Sequence, residues 1–286
     1  MSEIGDFAPG ILCLGIDALI CGAIYLVYKN SSQIEKALAE APEINIDENL
    51  KLTIQKHPSA VVNHEDGTVS LPYAVIRGNV TPLGKSVISS YTPEPLRGVI
   101  QKVVFREHKK VFKEAKKDEE KGSWVDKTKI IHQYINDVPF CLTNYREQSE
   151  FSFSIPHIEI VDWKNTSKID IDTVHNKYET SQPNLAELAG LVMGDLTKGV
   201  QKTEKMLTNG TTLTGVGQLV LGPMGVQLIP PSNGKPYLLV KDSISSIIKD
   251  YEGSKNGSKI VLDIFVGIGI LAASWMAWKY YKKLQE

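Results

Sequence analysis

Two apolar stretches bracket the chain and constrain it more than anything between them. Residues 11–28 read ILCLGIDALICGAIYLVY and residues 260–278 read IVLDIFVGIGILAASWMAW. As helices, each is about long enough to cross a ~30 Å hydrocarbon core. Two crossings put both termini on one side of a membrane and hold residues 29–259 on the other. The first stretch is expected to be a retained signal-anchor. Glu3 and Asp6 are the charges before it, where a cleaved signal carries positive charge, and bulky Tyr25-Leu26-Val27-Tyr28 replaces a small-residue cleavage site. The same acidic N-terminus argues against a matrix presequence. Lys29, Lys36, Lys255 and Lys259 lie on the loop side, against Lys279, Lys282 and Lys283 at the C-terminus, so charge bias does not choose the orientation.

The formal net charge is −1, which gives no basic stripe to displace counterions from nucleic acid. Cys13 and Cys21 fall in the first stretch, leaving Cys141 alone in the loop. One loop cysteine makes neither an internal disulfide nor a Cys₄ or Cys₂His₂ zinc site. No metal or cofactor site is expected in these residues.

Between the stretches, SSQIEKALAEAPEI predicts a short helix capped by Ser32, with Glu35 as capping-box partner and Pro42 as stop. From Leu71 the pattern turns to strands, in LPYAVIRGNV and then GVIQKVVFREHKKVF, where Val99, Gln101, Val103 and Phe105 alternate. The charged run KEAKKDEEKGS predicts a solvated hairpin tip. Further strands are expected in KIIHQYINDVPFCL and FSFSIPHIEIVDW. PNLAELAGLVMGDL predicts a helix with Asn184 as cap. TEKMLTNGTTLTGVGQLVL predicts two strands joined at Asn209-Gly210, a strong hairpin signal. Pro230, Pro231, Asn233 and Gly234 predict a turn before the strand PYLLV, and DSISSIIKDY a last helix leading into the second stretch. The fold class is α+β, a β-rich loop domain of mostly short strands between two transmembrane helices. The expected organisation is a short tail at 1–10, spans at 11–28 and 260–278, the β-rich domain at 29–259, and the start of a tail at 279–286.

PYAVIRGNV, RGVIQKVVFREHKKVF, KIIHQYINDVPF and TEKMLTNGTTLTGVGQLVL, in this order between two spans, resemble the mitochondrial outer-membrane RING-type E3 ubiquitin ligase family (MULAN/MAPL), whose intervening domain is the BAM/GIDE domain. The resemblance covers nearly the whole chain. It implies cytosolic termini, a loop domain in the intermembrane space, and a part in mitochondrial fission, apoptosis and signalling through ubiquitination or sumoylation. The family carries a RING finger after its second span, and a RING needs eight Cys/His ligands for two zinc ions. No cysteine follows Cys141 here. The expectation is an incomplete or alternatively spliced chain, with zinc, an E2 and protein substrates entering only with a RING. The alternative is a non-enzymatic membrane-tethered interaction or adaptor module.

Four residues stand out as candidate structural or interaction positions. Asp17 lies mid-span, where a charge is costly; it either contacts a partner helix or is protonated or snorkelled. Ala18 with Gly22, and Gly269 with Ala273, have the small-xxx-small spacing that permits helix self-association. His108 and His132 fit structural histidines bridging strands better than a catalytic pair with Cys141, since no nucleophile elbow surrounds that cysteine. Gly210 is expected in a type I′ turn, with φ > 0 at both central residues. Gly215-Val216-Gly217 fits a bulge within a strand better than a phosphate loop. Asn79, Asn165, Asn209 and Asn256 each begin an N-x-[ST] sequon. Besides these, the expected partner is the lipid bilayer.

Overall fold

The structure is a computed structural model and describes residues 8–63, 67–113, 122–144, 155–180 and 195–285. In chain order the elements are α1 (Ala8–Glu40), β1 (Glu43–Ile44), α2 (Leu50–Lys56), β2 (Val61–Asn63), β3 (Thr68–Pro82), β4 (Val87–Ile88), β5 (Arg97–Lys113), β6 (Ser123–Asp137), β7 (Phe140–Thr143), β8 (His157–Ile160), β9 (Lys168–Ile169), β10 (Asp172–Thr180), β11 (Asp195–Thr208), β12 (Thr212–Gly222), β13 (Gly225–Ile229), β14 (Leu238–Val240) and α3 (Ile244–Gln285). This is a β-rich α+β chain. Two compact units divide it, Met1–Pro42 with Asp242–Glu286, and Glu43–Lys241.

The first unit is a pair of long helices, each long and apolar enough to cross a membrane. Asp17 near the start of α1 lies against Gly269 toward the end of α3, while Ser31 and Glu35 near the end of α1 meet Ser254 and Lys255 in the first half of α3. The pair is antiparallel. Where the sequence predicts a separate helix capped by Ser32, α1 instead runs unbroken to Glu40. The reason is lateral packing: Ser31 Oγ lies 3.4 Å from Ser254 Oγ, and Lys255 Nζ donates to Glu35 at 2.5 Å. Segment 31–40 thereby gains a neighbouring helix, which outweighs the local preference of serine for a cap.

The second unit contains two sheets. In the first, β3 pairs with β7, β7 with β8, β8 with β13, β13 with β12, and β12 again with β3. The pairing closes on itself into a five-stranded barrel, parallel only between β8 and β13. One core cluster draws on all five strands through Leu71, Ile76, Phe140, Leu142, Ile158, Leu213, Leu219 and Leu228. Ile54 of α2 joins the same cluster. A Cβ at Gly215 would sit 2.8 Å from Leu228 Cδ2, so any larger residue there would make that side chain shift. A register shift between Gly217 and Leu219 is the predicted bulge.

The second sheet is open. β10 pairs with β11, β11 with β5, and the far edge of β5 carries β4 at its start and β6 from Ile100 onward. The strands are longer than the sequence pattern predicts: β5 has 17 residues, β6 has 15 and β11 has 14. Continuous cross-strand hydrogen bonding carries the β5–β6 hairpin through the charged REHKK segment to Lys113 opposite Ser123. Most of the predicted hairpin tip and of the helix predicted in PNLAELAGLVMGDL lie outside the described residues, although Asp195 and Leu196 of the latter begin β11.

The hairpin predicted at Asn209-Gly210 is corrected. β11 and β12 do not pair with each other; β11 belongs to the open sheet and β12 to the barrel. Thr211 N donates to Thr208 O across the turn at 3.3 Å, Gly210 has φ +75°, and Asn209 is not among the positive-φ residues. That sign pattern is type II rather than type I′. A type I′ turn would send β12 straight back along β11, whereas here Gly210 N bonds Val80 O at 2.9 Å and Asn209 N bonds Arg97 O at 3.0 Å. The turn is thus tied to both sheets and hands the chain from one to the other.

Candidate functional site

His108 and His132 both lie on the β5–β6 hairpin and do not form a site together. His132 stands opposite Phe105, while His108 is three residues beyond Phe105 on β5 and so projects from the other face. The His108 ring nitrogens reach Gln201 Oε1 at 3.2 Å and Thr128 Oγ1 at 3.3 Å, and its ring meets Tyr178 edge-on at 5.4 Å. It bridges three strands. His132 sits between the rings of Phe105, at 5.9 Å, and Tyr134, at 5.7 Å.

On the His132 face the sheet holds a buried carboxylate that sequence reasoning missed. Glu204 is fully buried, yet its oxygens accept from Ser90 N at 2.8 Å, Tyr91 N at 3.0 Å and Gln101 Nε2 at 2.5 Å. Buried Gln101 in turn accepts from Asn136 Nδ2 at 2.8 Å. This network satisfies a charge that would otherwise be costly and fastens the β4–β5 loop onto the sheet. Tyr91 is thereby set beside Phe105 and His175, with the Lys202 ammonium 4.5 Å from its ring centre. The signal available in the sequence was thin: Glu204 is in phase with Met206 along the strand, on the inward side.

Cys141 offers no nucleophile. It is fully buried, its Sγ donates to Thr81 O at 3.5 Å, and burial, then the nearby Glu159 charge, push its thiol up to about 12. A thiol so held is inert at neutral pH. Among the described residues no three His, Cys, Asp or Glu side chains gather to hold a metal ion.

At the outer end of the open sheet, β6 has β5 as its one strand partner among the described residues, and fourteen of its fifteen positions are exposed. Asp126 is neutralised by Lys198 at 2.6 Å, and that hydrogen bond holds its carboxyl below the ordinary value of 3.8. Lys127 and Lys129 have no such partner among the described residues. With Lys109 and Val111 they line a cleft of about 320 Å³. In the helical unit, a Cβ on Gly269 would fall 2.5 Å from Asp17 Oδ2, so the carboxyl occupies the notch that the glycine leaves. Nothing lies within 4 Å of the corresponding point on Gly22.

Residues 109–273 match the GIDE family model, described as an E3 ubiquitin ligase. The chain belongs to the GIDE family. Among curated relatives, it is 31% identical to Mitochondrial E3 ubiquitin protein ligase 1 of Drosophila melanogaster, over 98% of this chain and 76% of that protein. It is 30% identical to Mitochondrial ubiquitin ligase activator of NFKB 1 of Homo sapiens, over 96% of this chain and 73% of the relative. The mouse protein of the same name is 31% identical over 96% of this chain and 73% of its own length. No solved structure matches this chain. The GIDE match begins at Lys109, so it takes in only the outer end of β5, with all of β6, Cys141 and Gly210, and runs into α3 past Gly269. His108 lies one residue before it. The match spans both sheets and one of the two long apolar helices.

Proposed function

We propose that this chain is the membrane-anchoring and intermembrane-space portion of a mitochondrial outer-membrane E3 ubiquitin-protein ligase. The observation that carries this reading is similarity to a protein named as a mitochondrial E3 ubiquitin ligase over nearly the full chain, α1 and α3 included. An antiparallel pair of apolar helices crosses a bilayer twice with every backbone group satisfied internally. It leaves both termini on one side, which in this reading is the cytosol, with the β unit in the intermembrane space.

Ubiquitin transfer belongs, in this proposal, to an E2-docking RING rather than to these 286 residues. The donors present do not fit a RING: Cys13 and Cys21 lie on an apolar helix, Cys141 is sealed in the core, and the described residues bring no metal-binding cluster together. No step through zinc is therefore assigned to this chain. The β unit, with an inert thiol and structural histidines, contributes surface for binding.

Protease protection on intact mitochondria tests the topology. Fragments of the β unit are expected to survive until the outer membrane is ruptured. A glycosidase-sensitive mass shift at Asn165 or Asn256, both exposed, would place the unit in the secretory pathway instead. In the same preparation the 286-residue chain is expected not to stimulate ubiquitin discharge from an E2, and appending a family RING after Glu286 is expected to confer that activity. Discharge stimulated by the chain alone would locate the activity on the described surface.

A further inference from the structure

The outer end of the open sheet carries a charge arrangement that the described residues leave uncompensated. Lys109 and Lys127 are direct cross-strand neighbours, and Lys129 lies two residues along β6 on the same face. Like charges directly opposite one another on a sheet are destabilising. Glu107, opposite Lys129, has its carboxylate 3.3 Å from Lys109. Asp126 projects from the other face and is held there by Lys198. Lys127 and Lys129 thus line the 320 Å³ cleft without an ion-pair partner among the described residues.

Lys127 and Lys129 stand on β6, an edge of the sheet unpaired among the described residues. A strand edge presents a row of backbone donors and acceptors that pairs readily with another extended segment. Exposed Trp124, Val125, Ile130, Ile131 and Ile135 lie along the same strand. A second copy of β6 is a poor occupant. Antiparallel self-pairing centred on Thr128 sets Lys127 against Lys129, and centring on either lysine sets it against itself.

We propose that β6 is a docking edge for an extended acidic segment of another protein, which adds to the sheet as a further strand. Its recognition element is a pair of acidic side chains two residues apart, facing Lys127 and Lys129, next to a β-branched or other apolar residue facing Val125. The partner's backbone supplies the strand hydrogen bonds and its two carboxylates neutralise the cleft. The occupant is a protein segment and not a lipid surface, because the lysines lie along a strand edge that needs backbone partners.

The test uses the full chain in neutral-lipid nanodiscs and a labelled peptide of β-branched residues with glutamates at alternate positions, followed by fluorescence anisotropy. Saturable binding is expected. K127E/K129E should weaken it at least tenfold with an unchanged melting curve, since both positions are exposed. A peptide with lysines for glutamates should bind the double variant and not the native chain. N-methylation of one alternate set of peptide amides should abolish binding, while the other set is tolerated. Absence of saturable binding, binding that survives the double reversal, or equal response to both N-methylated peptides would overturn the proposal. So would binding to anionic vesicles that competes fully with the peptide, since the edge would then be a membrane-contact surface.

Discussion

The barrel and the open sheet draw on the same strand-forming residues and reach opposite outcomes. In the barrel, closure from β3 round to β12 pairs both edges of each of the five strands and seals a core of aliphatic side chains and Phe140. Among the described residues the open sheet keeps two unpaired edges, packs its root (Val99, Ile100 and Leu207) into that core, and buries a carboxylate network beside Val103, Val104 and Met206 at its centre. Closure removes a sheet's capacity to pair with anything else, whereas an open edge retains it. One region supplies stability, and the other supplies surface.

The comparison is broken most directly by cutting equivalent hydrocarbon from each region. Leu142 is fully buried in the barrel, while Ile131 is half exposed on β6. Leu142→Ala is expected to cost about 3 kcal/mol, the sum of lost burial and a residual cavity. Ile131→Ala should stay within about 0.5 kcal/mol. Chemical denaturation of the full chain in micelles checks both. Similar losses at the two sites would mean that β6 is covered in solution.

A smaller effect sharpens the boundary between the regions. Gly210 has φ +75° in the turn that joins the sheets. Gly210→Val should destabilise by more than ~1 kcal/mol, because a β-branched residue resists positive φ. Gly210→Asn, which tolerates that conformation better, should recover part of the loss. A melting temperature unchanged by valine would show that the turn does not hold this geometry.

The smallest effect lies on the open sheet alone. The Asp126–Lys198 hydrogen bond lowers the Asp126 carboxyl below 3.8. A depressed carboxylate contributes stability above its unfolded value and loses it as pH falls through the folded value, so the contribution is present at neutral pH and fades below pH 3.8. NMR titration should place the Asp126 midpoint under that value, and Lys198→Ala should return it toward 3.8. A midpoint unmoved by Lys198→Ala would mean that the pair does not form.

Much of the architecture was legible because its causes are local. Apolar runs at 11–28 and 260–278, alternation around Val99 to Phe105, and turn residues at Gly210 and Gly234 follow from transfer free energy and backbone preference, which each segment carries wherever it is placed. The α+β class and most strand positions came from these. The separate helix at Ser32 and the β11–β12 hairpin did not survive, because both depended on neighbours distant in sequence. Ser31 packs against Ser254, and the turn at Asn209 is held by Arg97 and Val80.

What the sequence by itself determined is therefore the inventory: two membrane-compatible helices, a β-rich unit between them, and a cysteine content unsuited to disulfides or RING zinc. Tertiary structure alone decided which residues meet. Gln101 and Glu204 are 103 residues apart in the chain, Asp17 faces Gly269, and Lys109 faces Lys127 only because the β5–β6 register puts it there. The physical reason is that strand register and helix contact are settled by packing over the whole unit, where shifting a strand by one residue would turn every side chain to the other face. Hydropathy and turn preference contain no term for that choice.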